Sequence, residues 1–318
     1  MQTAEEHAGC KVTVWGNAEP KNTVTVSKGE FTIDFNHNMG NIRGFYSDGI
    51  GSLLKIAGGN IEITGDDDCG IDAQRDGNTA LEISDGTVTV TGGCFENSYG
   101  HDNYIIDFNG GKLILKGGTF KNYAGAAFKT EPANYGSLLG AGYAYADENG
   151  NLMKPGDMRN DIEGFRVIEC TDHQPGADGR CVYCEEKCVA EVTDGETATK
   201  YIDLNKAFEA AKANEGCTVK LLDNITGGAS SGGNLALDLN GKTVDKIEIT
   251  DGTLTVSGAG SINNLNIKNG TLNISDNGVK IGALTAAENG KAALTAGTFG
   301  SISVSEGRKI AELLAPEY

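Results

Sequence analysis

Leu54-Lys55-Ile56-Ala57-Gly58-Gly59-Asn60-Ile61-Glu62-Ile63 decides how the rest of the chain is read. Apolar side chains two residues apart lie on one face of a strand. Gly59 separates two such pairs and supplies a backbone angle that other residues adopt only at a cost. The unit, apolar-x-apolar-x-x-Gly-x-apolar-x-apolar, begins earlier with Val24, Val26, Gly29, Phe31 and Ile33. It returns as Leu81, Ile83, Gly86, Val88 and Val90, then as Ile106, Phe108, Gly111, Leu113 and Leu115. Further on come Ile247, Ile249, Gly252, Leu254 and Val256, and Leu265, Ile267, Gly270, Leu272 and Ile274. A looser copy runs from Leu284 through Gly290 to Leu294. One unit cannot bury its own apolar face, whereas stacked copies can. The expectation is an all-β chain folded as a right-handed parallel β-helix (a β-solenoid) in two modules, with a β-sandwich as the structural alternative.

The corner glycines 29, 59, 86 and 111 are 30, 27 and 25 residues apart, but 252, 270 and 290 only 18 and 20 apart. Longer repeats have more chain to place, and the expectation is projecting loops at about 34–50, 65–79 and 92–104. Between the two sets, Ile202, Leu204, Ala207, Phe208 and Ala211 recur at helical spacing behind Asp203, an N-cap residue type. A helix over 203–215 would cap the start of the second module. The organisation expected is a leader or remnant of a preceding connector (1–11), a first module with long loops (12–145), a connector (146–200) and a second module (201–318). Gly118-Thr119-Phe120 and Leu138-Leu139-Gly140-Ala141-Gly142-Tyr143 are echoed by Gly297-Thr298-Phe299 and Leu313-Leu314-Ala315-Pro316-Glu317-Tyr318. That echo suggests a monomeric piece of a larger protein that repeats this module.

Tyr201-Ile202-Asp203-Leu204 with Ala207-Phe208, then Thr218-Val219-Lys220-Leu221-Leu222 and Leu237-Asp238-Leu239-Asn240-Gly241-Lys242, resemble modules of large cell-surface adhesins and host-protein-binding proteins of Gram-positive, often gut-dwelling, bacteria. Those modules are similar to pectate-lyase-like β-helices. The resemblance covers 199–318 well and 12–145 more loosely. It implies an extracellular, cell-wall-associated, multi-module repeat protein, with functions ranging over adhesion, glycan attachment and host-protein binding, including immunoglobulin binding.

The connector holds Cys170-x2-His173 and Cys181-x2-Cys184, two ligand pairs around a loop turning on Pro175, Gly176 and Gly179. Thiolates and an imidazole at this spacing satisfy tetrahedral zinc, here as a structural ion. Disulfides are the alternative in an oxidising setting. Cys188 complicates the ligand count, since it can replace His173 or pair with Cys217. Cys69 and Cys94 are one repeat apart, which suggests a disulfide between stacked units. Cys10 precedes the first module much as Cys188 precedes the second.

Lys and Arg total 26 against 44 Asp and Glu, a net charge of −18 with no basic stripe. A phosphate-backbone partner is therefore not expected. No apolar stretch reaches membrane-span length, so no direct membrane insertion is expected. An enzyme reading centres on Gly65-Asp66-Asp67-Asp68-Cys69, which superficially resembles the Gly-Asp-Asp-Cys of polygalacturonases. Asp66, Asp67 and Asp68 could hold calcium or act as acid and base, with Arg75 as the nearby cation. The other polygalacturonase elements, Asn-Thr-Asp, Gly-His-Gly and Arg-Ile-Lys, are absent. A polysaccharide lyase or hydrolase is thus the alternative, and a spacer or stalk a second one. The favoured expectation is a non-catalytic module that binds a host protein or glycoprotein through the first module's loops. Its candidate contacts are Arg43, Phe45, Tyr46, Asp48, Asp67, Arg75, Phe95, Tyr99, His101, Asp102 and Tyr104. Aromatic and arginine side chains are typical interface hot spots. Tyr123, Phe128 and Tyr135 follow the last repeat as further aromatics, any of which can equally serve the core.

Overall fold

The computed structural model describes residues 4–15, 20, 22–35, 45–47, 51–73, 77–98, 103–123, 125–214, 216–307 and 309–313, the side chains of 45–47, 311 and 312 excepted. The chain forms two compact units, and the change from one to the other falls within 171–186.

In the first unit the repeat copies align in register. Leu54 pairs with Val24 on one side and Leu81 on the other, and Leu81 pairs with Ile106. Ile61 sits likewise between Phe31 and Val88, and Val88 beside Leu113. All these side chains are buried except the half-buried Val24. The corner glycines are what allow the copies to approach. Gly59 has φ +88°, and a Cβ there would lie 2.5 Å from the carbonyl oxygen of Gly29. That same oxygen accepts a 2.8 Å hydrogen bond from the Asn60 N–H. Only a residue without a side chain meets both demands.

These strands make an eight-stranded sheet ordered Cys10–Val14, Glu30–Phe35, Ser52–Gly65, Thr79–Val90, Asn103–Phe108, Gly125–Phe128, with Val24–Val26 and Lys112–Leu115 alongside. A second sheet has seven strands. Phe45–Ser47, Gly70–Ala73, Cys94–Asn97 and Thr119–Asn122 run parallel. Gly164–Glu169, Tyr143–Ala146 and Leu152–Met153 then add antiparallel. Phe95, Phe120 and Phe165 stack inward with centroids 5.2 and 4.6 Å apart.

The second unit is one ten-stranded sheet. Ala198–Tyr201, Ala190–Thr193 and Thr218–Leu221 are antiparallel neighbours. From Thr218–Leu221 onward the pairing turns parallel, through Asn234–Asp238 to Thr253–Ser257 and Gly260–Ile274. Ile247, Leu265 and Leu284 continue the register to Ile302. The helix is Leu204–Ala213, and the Asp203 carboxylate accepts from the N–H groups of Asn205 and Lys206. It buries Leu204, Ala207, Phe208 and Ala211.

The expectation of a right-handed parallel β-helix is therefore corrected. The chain is a mostly β, multi-sheet fold that mixes parallel and antiparallel strands, and among the described residues no sheet closes or curls onto itself. The repeat pattern specifies which face of each strand is buried and aligns like copies. It carries no instruction about the direction of strands added at a sheet edge, and 143–169 and 190–201 add theirs in reverse. Among the described residues, part of the chain expected as loops is strand. Gly70–Ala73 and Cys94–Asn97 lie where loops were expected, and every residue of the first is buried. Because Tyr143–Ala146, Leu152–Met153 and Gly164–Glu169 belong to the first unit, that unit runs past 145 to about 171. Among the described residues no helix is long and apolar enough to cross a membrane.

Candidate functional site

The connector segment from Cys170 to Cys188 has little apolar side chain of its own and is shaped by backbone hydrogen bonds. Cys170 ends the strand Gly164–Glu169, its N–H donating to the Gly142 carbonyl at 2.8 Å. A tight reversal follows: Gly176 N–H donates to the Arg180 carbonyl at 2.7 Å, and Gly179, at φ +77°, donates to Gly176. Cys181 N–H then donates to the Glu186 carbonyl at 2.7 Å. Glu185 closes the Cys181–Cys184 turn at φ +58°, one of two described non-glycine residues in the left-handed region.

The outcome is a four-donor centre. One ligand atom from each of Cys170, His173, Cys181 and Cys184 lies within 4.8 Å of all the others, and all four residues are buried. A zinc–sulfur bond of about 2.3 Å sets ligand–ligand edges of roughly 3.8 Å in a tetrahedron, so modest contraction about an ion completes the shell. The cluster can therefore hold a metal ion. Cys188 lies outside it, which resolves the ligand count. Burial, and next to it the nearby Cys181, push the Cys188 thiol up.

No S–S bond links Cys69 to Cys94 or Cys188 to Cys217 in the structure. For the first pair the reason is strand parity. Cys94 is in register with Gly70, one position beyond Cys69. Cys69 packs into the hydrophobic core, whereas Cys94 points to the opposite face and donates its S–H to Glu96 Oε1 at 3.0 Å. Burial, helped by the Glu96 carboxylate, pushes the Cys94 thiol far up. Cys217 is buried in the second unit's core.

The acidic triplet does not form a calcium shell. Both carboxylate oxygens of Asp67 are engaged, one by the Thr119 hydroxyl at 3.0 Å and the other by Arg166. Among the described residues the metal-compatible group is the Cys/His cluster alone. Of the expected ligand contacts, Arg43, Asp48, Arg75, Tyr99, His101 and Asp102 lie outside the described residues. Phe45 and Tyr46 are on the strand Phe45–Ser47, paired with Ile71 and Asp72, and their side chains lie outside the described part. Tyr104 is half-buried on Asn103–Phe108. Phe95 is fully buried under Phe120, which removes it from any binding surface. Phe128 and Tyr135 are likewise in the core, while Tyr123 is 61% exposed.

Tyr123 stands beside a feature that sequence reading missed. On the outer face of the first unit's second sheet, one row runs Asp72, Glu96, Lys121 and the next Cys94, Thr119, Arg166. Lys121 donates to Glu96 at 3.0 Å. Burial of Lys121 works against its charge, but the Glu96 carboxylate outweighs this and raises its pKa. Two adjoining hollows of about 190 and 330 Å³ open over these rows, sharing Asp68 and Lys121. No family model, curated protein or solved structure matches the chain.

Proposed function

We propose that the chain is a non-catalytic module of a bacterial cell-surface protein that binds a host protein or glycoprotein, immunoglobulin included, and that a structural zinc ion folds its connector. The observation that carries the reading is the closed donor set. Four buried protein donors fill a tetrahedral shell and leave no position for water or substrate, as in structural rather than catalytic zinc sites. Three thiolates and an imidazole favour zinc over calcium or magnesium, which prefer oxygen. A segment this short gains its fold from the metal. Engagement of Asp67 by Arg166 and Thr119 removes the central carboxylate from the acid–base arrangement that a polysaccharide-cleaving enzyme would use. The surface-protein resemblance of 199–318 supports the host-facing role.

Chain purified without chelator is expected to carry about one zinc per molecule by elemental analysis, and Cys181→Ser to lose it. Metal-free protein with its connector cysteines oxidised in pairs would overturn the zinc assignment. Immobilised, metal-loaded chain is expected to enrich a host protein from serum or mucosal secretions. Enrichment of none by folded protein would refute the binding role.

A further inference from the structure

We infer that the hollows on the first unit's second sheet form a docking groove for a basic segment of a protein partner, one presenting lysine or arginine side chains. This rests on the binding role proposed above and gives it a place and a chemistry. The groove has a structural cause. Gly164 is in register with Lys121, and Gly70 with Cys94. Glycine at these positions lets neighbouring groups close in: a Cβ at Gly164 would lie 2.9 Å from Glu148 Oε1, so its absence admits the Glu148 carboxylate to the groove wall, and at Gly70 the Cys94 backbone takes the place of a side chain.

The charge of the groove selects the ligand. Among the described residues its walls carry the carboxylates Asp67, Asp68, Asp72, Glu96 and Glu148 against Lys121 and Arg166. Both cations are already committed, Lys121 to Glu96 and Arg166 to Asp67. Asp72 is buried and accepts from the Ser98 hydroxyl at 2.5 Å. Asp68 and Glu148 are exposed, and no ion pair among the described residues takes either. The groove thus holds an unbalanced negative charge at its open side. Tyr123, exposed at the rim, offers an aromatic face to a cation. A bare metal ion is the poorer occupant, because these carboxylates do not converge as the connector donors do. Two adjoining hollows suit successive basic side chains of one extended segment, and a field of one sign steers such a segment in.

The test is a titration of fluorescein-labelled octalysine, with its fully acetylated form as the uncharged control, read by anisotropy at low salt. The Asp68→Asn/Glu148→Gln double variant is expected to weaken binding about tenfold, from two partner charges lost at a surface site. Tyr123→Ala should weaken it a few-fold. The matched double variant Glu196→Gln/Glu288→Gln removes the same charge from exposed positions of the second unit and should stay within about twofold of wild type. If the groove variant loses no more affinity than this control, the groove is refuted. The same variants separate this inference from the role it rests on. A host protein captured equally by wild type and the Asp68→Asn/Glu148→Gln variant refutes the groove and leaves host binding standing. No capture, with octalysine binding still groove-dependent, refutes host binding and leaves the groove.

Discussion

Replacing Gly86 by alanine tests whether the repeat copies are as closely stacked as the register implies. Gly86 has φ +82°, and a Cβ there would lie 2.7 Å from the carbonyl carbon of Gly58 and 2.9 Å from the nitrogen of Gly59. The left-handed conformation alone costs an alanine about 1–2 kcal/mol. The clash is with backbone, which has no rotamer to escape into, so the strands Ser52–Gly65 and Thr79–Val90 must separate locally. Weakening two ladder hydrogen bonds at about 0.5–1.5 kcal/mol each brings the total to roughly 3–4 kcal/mol. Gly150 supplies the internal control: its φ is +84°, but a Cβ there meets nothing within 4 Å. Gly150→Ala should therefore cost only the conformational part, about 1–2 kcal/mol. Urea unfolding followed by the fluorescence of Trp15, the sole tryptophan and a residue of the same unit, measures both. The difference between the variants, about 2 kcal/mol, isolates the close approach. Equal losses would refute the stacking argument whatever their size.

Three further outcomes are expected. Phe120→Ala removes the middle ring of the Phe95–Phe120–Phe165 stack and should destabilise the first unit by about 3–5 kcal/mol in the same urea assay; a loss below about 1 kcal/mol would contradict a packed second sheet. Asp203→Ala deprives the Asn205 and Lys206 N–H groups of their acceptor and should cost about 1 kcal/mol. Hydrogen exchange should show faster exchange over the helix Leu204–Ala213, with the first unit unchanged. Asp194, whose carboxylate accepts from the N–H groups of Thr197 and Glu196 and then from the Thr197 hydroxyl, has its pKa lowered to about 2. Because the folded pKa lies below the unfolded value, this turn is fully supported above about pH 4 and loses its support as pH falls through about 2. A carboxyl-carbon NMR midpoint at the ordinary 3.8 would refute the arrangement.

The long parallel ladders were readable because period-two apolar spacing and a steric glycine act locally and repeat. Leu54 and Leu81 pair just where their glycines align. The second sheet was harder to see. Its strands are short, and charged or cysteine residues interrupt them. Yet Gly92-Gly93-Cys94-Phe95-Glu96-Asn97 and Gly117-Gly118-Thr119-Phe120-Lys121-Asn122 repeat at a spacing of 25 residues, and both the Phe95–Phe120 stack and the 2.7 Å Asn97–Asn122 hydrogen bond follow from that repeat. The signal was present as a second motif within each long repeat. The antiparallel strand Gly164–Glu169 had no such signal, because its partners Thr119–Asn122 and Tyr143–Ala146 do not resemble it.

The same distinction governs the candidate sites. The four metal donors come from two short-range pairs, so spacing alone was enough to find them. The groove residues Asp67, Lys121, Glu148 and Arg166 come from separate segments that meet only through pairing; Asp67 stands in a recognisable acidic motif, but nothing local marks the other three. The Cys69–Cys94 pairing failed for an intermediate reason. Counting residues between repeats places two positions on neighbouring strands, but the face each side chain takes depends on parity, and a one-residue offset reverses it. Gly70 pairs with Cys94 across 24 residues, whereas Cys94 pairs with Thr119 across 25. The step between repeats is thus not constant, and a spacing taken from the corner glycines cannot be carried to another strand of the same repeat. Cys69 goes inward and Cys94 outward because of that single residue, and on its outward face Cys94 lies beside Glu96, two positions along the same strand, where both line the groove.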